Sequence, residues 1–93
     1  MSIQELIIYG ATILGITPEK LTSSTRKDEI TIIRHAIANI AYDNGYKYSE
    51  IAVALKRKNT ATIYNSRKRA SEMLKNNRNF RATYSLIQAC ANG

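Results

Sequence analysis

The stretch YSEIAVALKRKNTATIYNSRKRASEML, residues 48–74, constrains the chain more than any other. Ile51, Ala52, Ala54 and Leu55 recur at helical spacing, and Ser49 can cap the helix they define. Lys56-Arg57-Lys58 then makes a tight basic turn. Asn59 or Thr60 can cap a second helix, along which Ile63, Ala70, Met73 and Leu74 form an apolar stripe. A short helix, a tight turn and a second helix that opens on small hydrogen-bonding residues fit a helix-turn-helix. Any small helical bundle contains such pairs, so the pattern gains weight only from its surroundings.

The surroundings are helical throughout. Ser2 and Glu5 stand at capping-box spacing ahead of Ile3, Leu6, Ile7, Ile13 and Leu14, and Gly15 is a plausible stop. Gly10 weakens that helix slightly. Thr17-Pro18-Glu19 is a second start signal, with a capping side chain, Pro at the first helical position and an acid near the positive end of the dipole. The polar run Thr22–Thr25 keeps that helix short. A long helix is expected from Thr25, as its cap, to Asp43, with Ile30, Ile33, Ile37, Ile40 and Ala41 inward and Asn44-Gly45 as its end. A last helix carries Phe80, Tyr84, Ile87 and Cys90 on one side after a break at Asn76-Asn77. No strand alternation is visible. The expected fold is all-α, one domain over residues 1–93, a bundle of five or six helices.

Charge is concentrated. The 93-residue chain carries a net charge of +7, yet residues 1–55 hold five Lys/Arg against six acids, while residues 56–81 hold nine against one. Such a cluster suits a polyanion better than a merely solvated face does. On a 3.6-residue helix Ala61, Asn65, Lys68 and Arg69 lie roughly opposite Ile63 and face out when Ile63 faces in. Asn59, Thr60 and Thr62 sit at the leading end, where side chains and backbone N–H groups can meet base edges or phosphates. The expected major-groove set is therefore Asn59, Thr60, Ala61, Thr62 and Asn65. Lys56, Arg57 and Lys58, with the run Arg67-Lys68-Arg69, would supply phosphate contacts. Arg26 and Lys27, beside a polar loop, make a third basic site suited to a narrow minor groove.

Catalytic chemistry finds little support. His35 is the one histidine and has no Cys or carboxylate at metal spacing, so it reads as a surface or boundary residue and no metal is expected. Cys90 is the one cysteine, which excludes an internal disulfide and reads as a small packed residue. The span Gly10–Gly15 lacks the lysine of a phosphate-binding loop, and no cofactor is expected. No secretory signal is visible and no apolar run approaches the roughly 18–20 residues that span a bilayer, so the expected location is the cytoplasm, at the nucleoid. The expected partner is double-stranded DNA, with no membrane and no small-molecule substrate, and with room for a protein partner in replication or transcription. An RNA-binding module and a module that binds an acidic protein remain as alternatives. Tyr46, Tyr48 and Tyr64 do not obviously form the stacking platform that single strands require.

With these residues in view, the chain resembles the C-terminal DNA-binding domain (domain IV) of the bacterial replication initiator DnaA, over roughly residues 3–87. The lead helix, short helix, basic loop, long helix and helix-turn-helix follow in the same order, with gapping mainly around residues 44–47. SEIAVALKRKNTATI, residues 49–63, stands where that family has a PEIG-like helix, a Gly-Gly-Arg turn and Asp-His-Thr-Thr-Val. Lys68-Arg69 falls on the family's Arg-Lys pair. The resemblance implies that Arg26 reads the minor groove, that Arg34 contacts DNA, here assigned to phosphate, that Asn59 to Thr62 read the major groove, and that Asn65 faces DNA. Only Thr62 keeps its signature residue, and the two glycines of the turn are Lys56 and Arg57. A changed reading surface on a kept scaffold implies DNA binding with an altered sequence preference. Because the chain begins at Met1 and lacks an ATPase domain, a stand-alone module is expected, of host or phage origin.

Overall fold

The computed structural model describes residues 2–92. Six helices run in chain order: α1 (Ile3–Leu14), α2 (Pro18–Leu21), α3 (Asp28–Asp43), α4 (Tyr48–Ala54), α5 (Thr60–Asn76) and α6 (Arg78–Asn92). No strand occurs among the described residues. None of the helices is long and apolar enough to cross a membrane.

The start signals act as their chemistry dictates. Ser2 Oγ accepts from the Glu5 N–H at 3.2 Å while Glu5 Oε1 accepts from the Ser2 N–H at 3.0 Å, a closed capping box. Thr17 Oγ1 accepts from the Lys20 N–H ahead of Pro18. Asn59 Oδ1 accepts from the Thr62 N–H at 3.2 Å and opens α5. Two boundaries differ from the sequence reading. Thr25 does not cap α3, which begins at Asp28 with Lys27 as its N-cap and no capping side chain; the Thr25 carbonyl is taken by an arginine described below. Ser49 lies inside α4, and the helix is opened instead by Glu50, whose carboxylate accepts from the Lys47 N–H at 2.8 Å.

Three helices end in the same way. After α1, the Gly15 N–H donates to Thr12 O and the Ile16 N–H to Ala11 O; after α3, Gly45 and Tyr46 do likewise to Tyr42 O and Ala41 O. After α4 the pair is Lys56 to Val53 O at 3.1 Å and Arg57 to Ala52 O at 2.8 Å. This Schellman geometry puts its pivotal residue in the left-handed region. Gly15 and Gly45 accept it at φ 68° and 98°, but the third pivot is Lys56, at φ 58°. A Cβ in this region clashes with the following carbonyl, so the turn of the helix-turn-helix carries strain that the other two helix ends avoid.

Helix α3 is the axle of the molecule and packs against α1, α4, α5 and α6. Its Ile30, Ile33, Ile37 and Ile40 are buried among Leu6 and Ile7 of α1, Leu21, Ile51, Leu55, Ile63 of α5, and Phe80, Tyr84 and Ile87 of α6. Gly10 earns its place here by size. A Cβ at that position would stand 2.9 Å from Ile33 Cγ2 and 3.0 Å from Ile37 Cδ1, so only glycine lets α1 settle this close to α3. The inward face of α5 is Ile63, Ser66 and Ala70, with Met73 and Leu74 half-buried below them.

Candidate nucleic-acid interface

Packing α5 across α3 brings the α4–α5 turn against the loop between α2 and α3. Between them lies a concavity of about 540 Å³ lined by Thr22, Ser24, Thr25, Arg26, Arg34, Lys56, Arg57, Lys58, Asn59 and Thr62. Five of those ten residues are cationic, and none of them is a carboxylate. Three segments distant in sequence thus share one positive hollow, which is the arrangement that draws in a polyanion.

The leading end of α5 opens on this hollow. Asn59, Thr60, Ala61, Thr62 and Asn65 are all exposed, as are Lys68 and Arg69 further along. Ala61, Asn65 and Lys68 follow one another at i, i+4 and i+7, so they make a stripe on the outer face of α5. Of the expected major-groove set, Asn59 and Thr62 line the concavity, whereas Thr60, Ala61 and Asn65 lie on the exposed surface beyond its rim. Capping commits Asn59 Oδ1 to the Thr62 N–H and, at 3.4 Å, to the Thr62 hydroxyl. A bidentate pairing of Asn59 with adenine would need that oxygen, so Asn59 is left with its amide nitrogen as donor while the cap holds.

The cations divide into two kinds. Arg26, Lys27, Lys56 and Lys58 are exposed, as the sequence reading requires of groups that meet DNA. Lys68 and Arg69 are exposed on α5, with Arg69 3.6 Å from Glu72 in a solvent-facing pair that contributes little.

Arg34 and Arg57 are different. Arg34 is only 7% exposed. Its Nε donates to Leu21 O at 2.7 Å, its Nη1 to Thr25 O at 2.9 Å and its Nη2 to Ser23 O at 2.6 Å. Arg57 is half-buried; its Nε donates to Leu55 O at 2.9 Å and its Nη2 to both Thr22 O and Ser23 O at 2.8 Å. Both were expected at phosphates, yet both guanidinium groups are already turned onto backbone carbonyls. Burial first, and then the neighbouring Arg57 charge, lower the Arg34 pKa from the ordinary guanidinium range. A guanidinium nonetheless keeps its proton in proteins, so two positive charges stand side by side with carbonyl dipoles as their partners.

Arg67 corrects the reading of Arg67-Lys68-Arg69 as one phosphate-binding run. Its Nη1 donates to the Tyr48 hydroxyl at 2.8 Å, its Nε to Asn39 Oδ1 at 3.2 Å, and the guanidinium lies 3.7 Å from the centroid of the Tyr42 ring. Asn39 Nδ2 in turn donates to the buried Tyr84 hydroxyl at 2.8 Å. Arg67 thus bolts α5 to α3 and α4, and through Asn39 to α6. The wheel carries the signal that finds it: Arg67 falls four residues after Ile63 and three before Ala70, on the buried stripe. Arg81 is likewise structural, its Nη1 donating to Leu74 O at 3.1 Å and Lys75 O at 3.3 Å at the end of α5.

His35 lies at the α3–α5 seam, half-buried, with Arg26, Asp28, Arg34 and Arg57 lining the same cleft. Its buried Nδ1 has no hydrogen-bond partner among the described residues. Burial, then the charges of Arg69 and Arg34, lower its pKa from the usual histidine value. Cys90 is a half-buried free thiol.

No family model, curated protein or solved structure matches the chain.

Proposed function

We propose that this protein binds double-stranded DNA through its α4–turn–α5 unit, with an auxiliary contact from the loop that carries Arg26, and that it catalyses no reaction. The observation that carries the proposal is the convergence of the Thr22–Arg26 loop, the Lys56–Lys58 turn and the leading end of α5 on one cationic hollow whose lining includes no carboxylate. In this reading α5 enters the major groove with Thr60, Ala61, Thr62 and Asn65 toward the bases. Arg26 and Lys27 reach the adjacent minor groove. Lys56, Lys58, Lys68 and Arg69 hold phosphates, while Arg34 and Arg57 act from behind the surface.

The resemblance to DnaA domain IV supports the same docking, and the replaced signature residues Asn59, Thr60 and Ala61 support a preference different from that family's. The process this serves is replication control or transcriptional regulation at the nucleoid, by occupying sites on the duplex.

Selection from a randomised duplex library, with length-matched RNA as competitor, tests the proposal. The expected result is an enriched duplex motif and binding that falls steeply with salt. Lys58→Ala should weaken all duplexes alike and reduce the salt slope by about 0.9, whereas Thr62→Ala should relax preference at one or two base pairs, each worth about 1–3 kcal/mol. Preference for the RNA would move the assignment to an RNA-binding module. Failure to bind any duplex at low salt would leave a protein-interaction module on this scaffold.

A further inference from the structure

We infer that Arg34 and Arg57 are positioning residues that fasten the Arg26 loop to the α4–α5 turn, so that minor-groove and major-groove elements dock as one rigid head with a fixed spacing. The inference rests on the DNA-binding reading and says how that surface is built.

The loop has little else to hold it. Its own side chains make only local bonds: Thr22 Oγ1 to Pro18 O and Glu19 O at 3.3 and 3.4 Å, Ser23 Oγ to Lys20 O at 2.7 Å, and the Thr25 and Lys27 N–H groups to hydroxyls at 3.4 and 3.5 Å. Among the described residues, the hydrogen bonds that reach it from elsewhere in the fold come from the two arginines. Together they occupy the carbonyls of Leu21, Thr22, Ser23 and Thr25. One arginine comes from the central helix and the other from the turn that launches α5. They meet on a single atom, since Ser23 O accepts from Arg34 Nη2 at 2.6 Å and from Arg57 Nη2 at 2.8 Å.

Arginine is required for this by geometry. One planar group presents five N–H donors in a fixed fork, and three carbonyls at different angles can be satisfied at once. A lysine supplies equal charge without the fork. If either arginine swung out to a phosphate, it would abandon carbonyls that are turned inward, and the loop would lose the register in which it presents Arg26. The charge is not wasted: with carbonyls rather than carboxylates as partners, both positive charges remain uncompensated and add to the field of the hollow.

A double-mutant cycle on the selected duplex separates positioning from phosphate contact. Arg26→Ala should weaken binding about tenfold in the wild-type background, and by less than about twofold in Arg57→Met, where Arg26 is already misplaced. Arg57→Lys should behave like Arg57→Met in affinity yet keep the wild-type salt slope. Additive losses, with Arg57→Lys binding as the wild type does, would make Arg57 a phosphate contact and overturn the inference. In DNA-free protein, amide exchange over residues 22–27 should quicken in Arg57→Met while the α3 amides keep their protection; unchanged loop exchange overturns the inference without reference to DNA. A wild-type chain that binds no duplex would instead overturn the DNA-binding reading, and leave the exchange result to decide whether the clamp exists.

Discussion

Lys56 is the residue at which stability and DNA binding should part company. It occupies the left-handed position of a Schellman motif whose counterparts are Gly15 and Gly45. Holding a Cβ in that region costs roughly 1–2 kcal/mol. Lys56→Gly relieves this but gives the unfolded chain more freedom, which costs about 0.4–1 kcal/mol. The balance is a gain on the order of 0.5–1 kcal/mol, or a rise of about 2–8 °C in Tm for a domain of this size. Lys56→Ala keeps the Cβ and the strain, so it should melt close to the wild type. Both variants lose a cation at the rim of the hollow and should lower the salt slope of duplex binding by about 0.9. Thermal unfolding followed by circular dichroism, together with binding titrations across salt concentrations, reads both effects. If Lys56→Gly is no more stable than Lys56→Ala, the reasoning from backbone strain is wrong. If neither changes the slope, Lys56 does not meet a phosphate.

Three further outcomes follow from the packing. Gly10→Val should cost roughly 2–3 kcal/mol, because its Cβ would collide with Ile33 and Ile37 across the α1–α3 contact; a urea midpoint equal to the wild type would refute that close approach. Asn39→Ala leaves the Tyr84 hydroxyl and Arg67 Nε without their partner and should cost about 2–4 kcal/mol, measured by chemical denaturation; a loss within error would show that the network contributes nothing net. His35 has a folded-state pKa below its ordinary 6.5, so the unfolded chain takes up a proton first as pH falls. Stability from this group is complete above pH 6.5 and drains as pH drops from there toward the folded pKa. His35→Leu should flatten the acid limb of the stability curve, and an unchanged difference between pH 7 and pH 5 would exclude His35 as its source.

Elements of this fold were legible wherever a local signal matches a local cause. Ser2 with Glu5, Thr17 with Pro18, and Asn59 each cap the helix their spacing predicts, because a cap involves residues three apart. Thr25 and Ser49 misled because competing groups are present: an arginine takes the Thr25 carbonyl, and Glu50 opens α4 from inside it. Gly10 read as a weak point in a helix, since its reason lies on another helix. The hollow was legible in part as a charge cluster: Lys56 and Lys58 line it, while Lys68 and Arg69 stand exposed further along α5. The main-chain hydrogen bonds of Arg34 and Arg57 were not legible. Their partners are main-chain carbonyls, which every residue carries, so no carboxylate marks them in the sequence. Thr22, Ser24 and Thr25 line the hollow as well, although the sequence marked them only as a polar run that ends α2 and, for Thr25, as a cap.

Fastening the loop with carbonyls has a practical corollary. Peptide oxygens do not titrate, and short hydrogen bonds of this kind owe little to long-range attraction. On the proposed DNA-binding reading, raising ionic strength should therefore strip the protein from a duplex while leaving the loop and turn assembled, since mobile ions only soften the repulsion between the adjoining guanidiniums. Release and recapture would then need no refolding of the grip, and material eluted by brine should be ready to bind again on dilution.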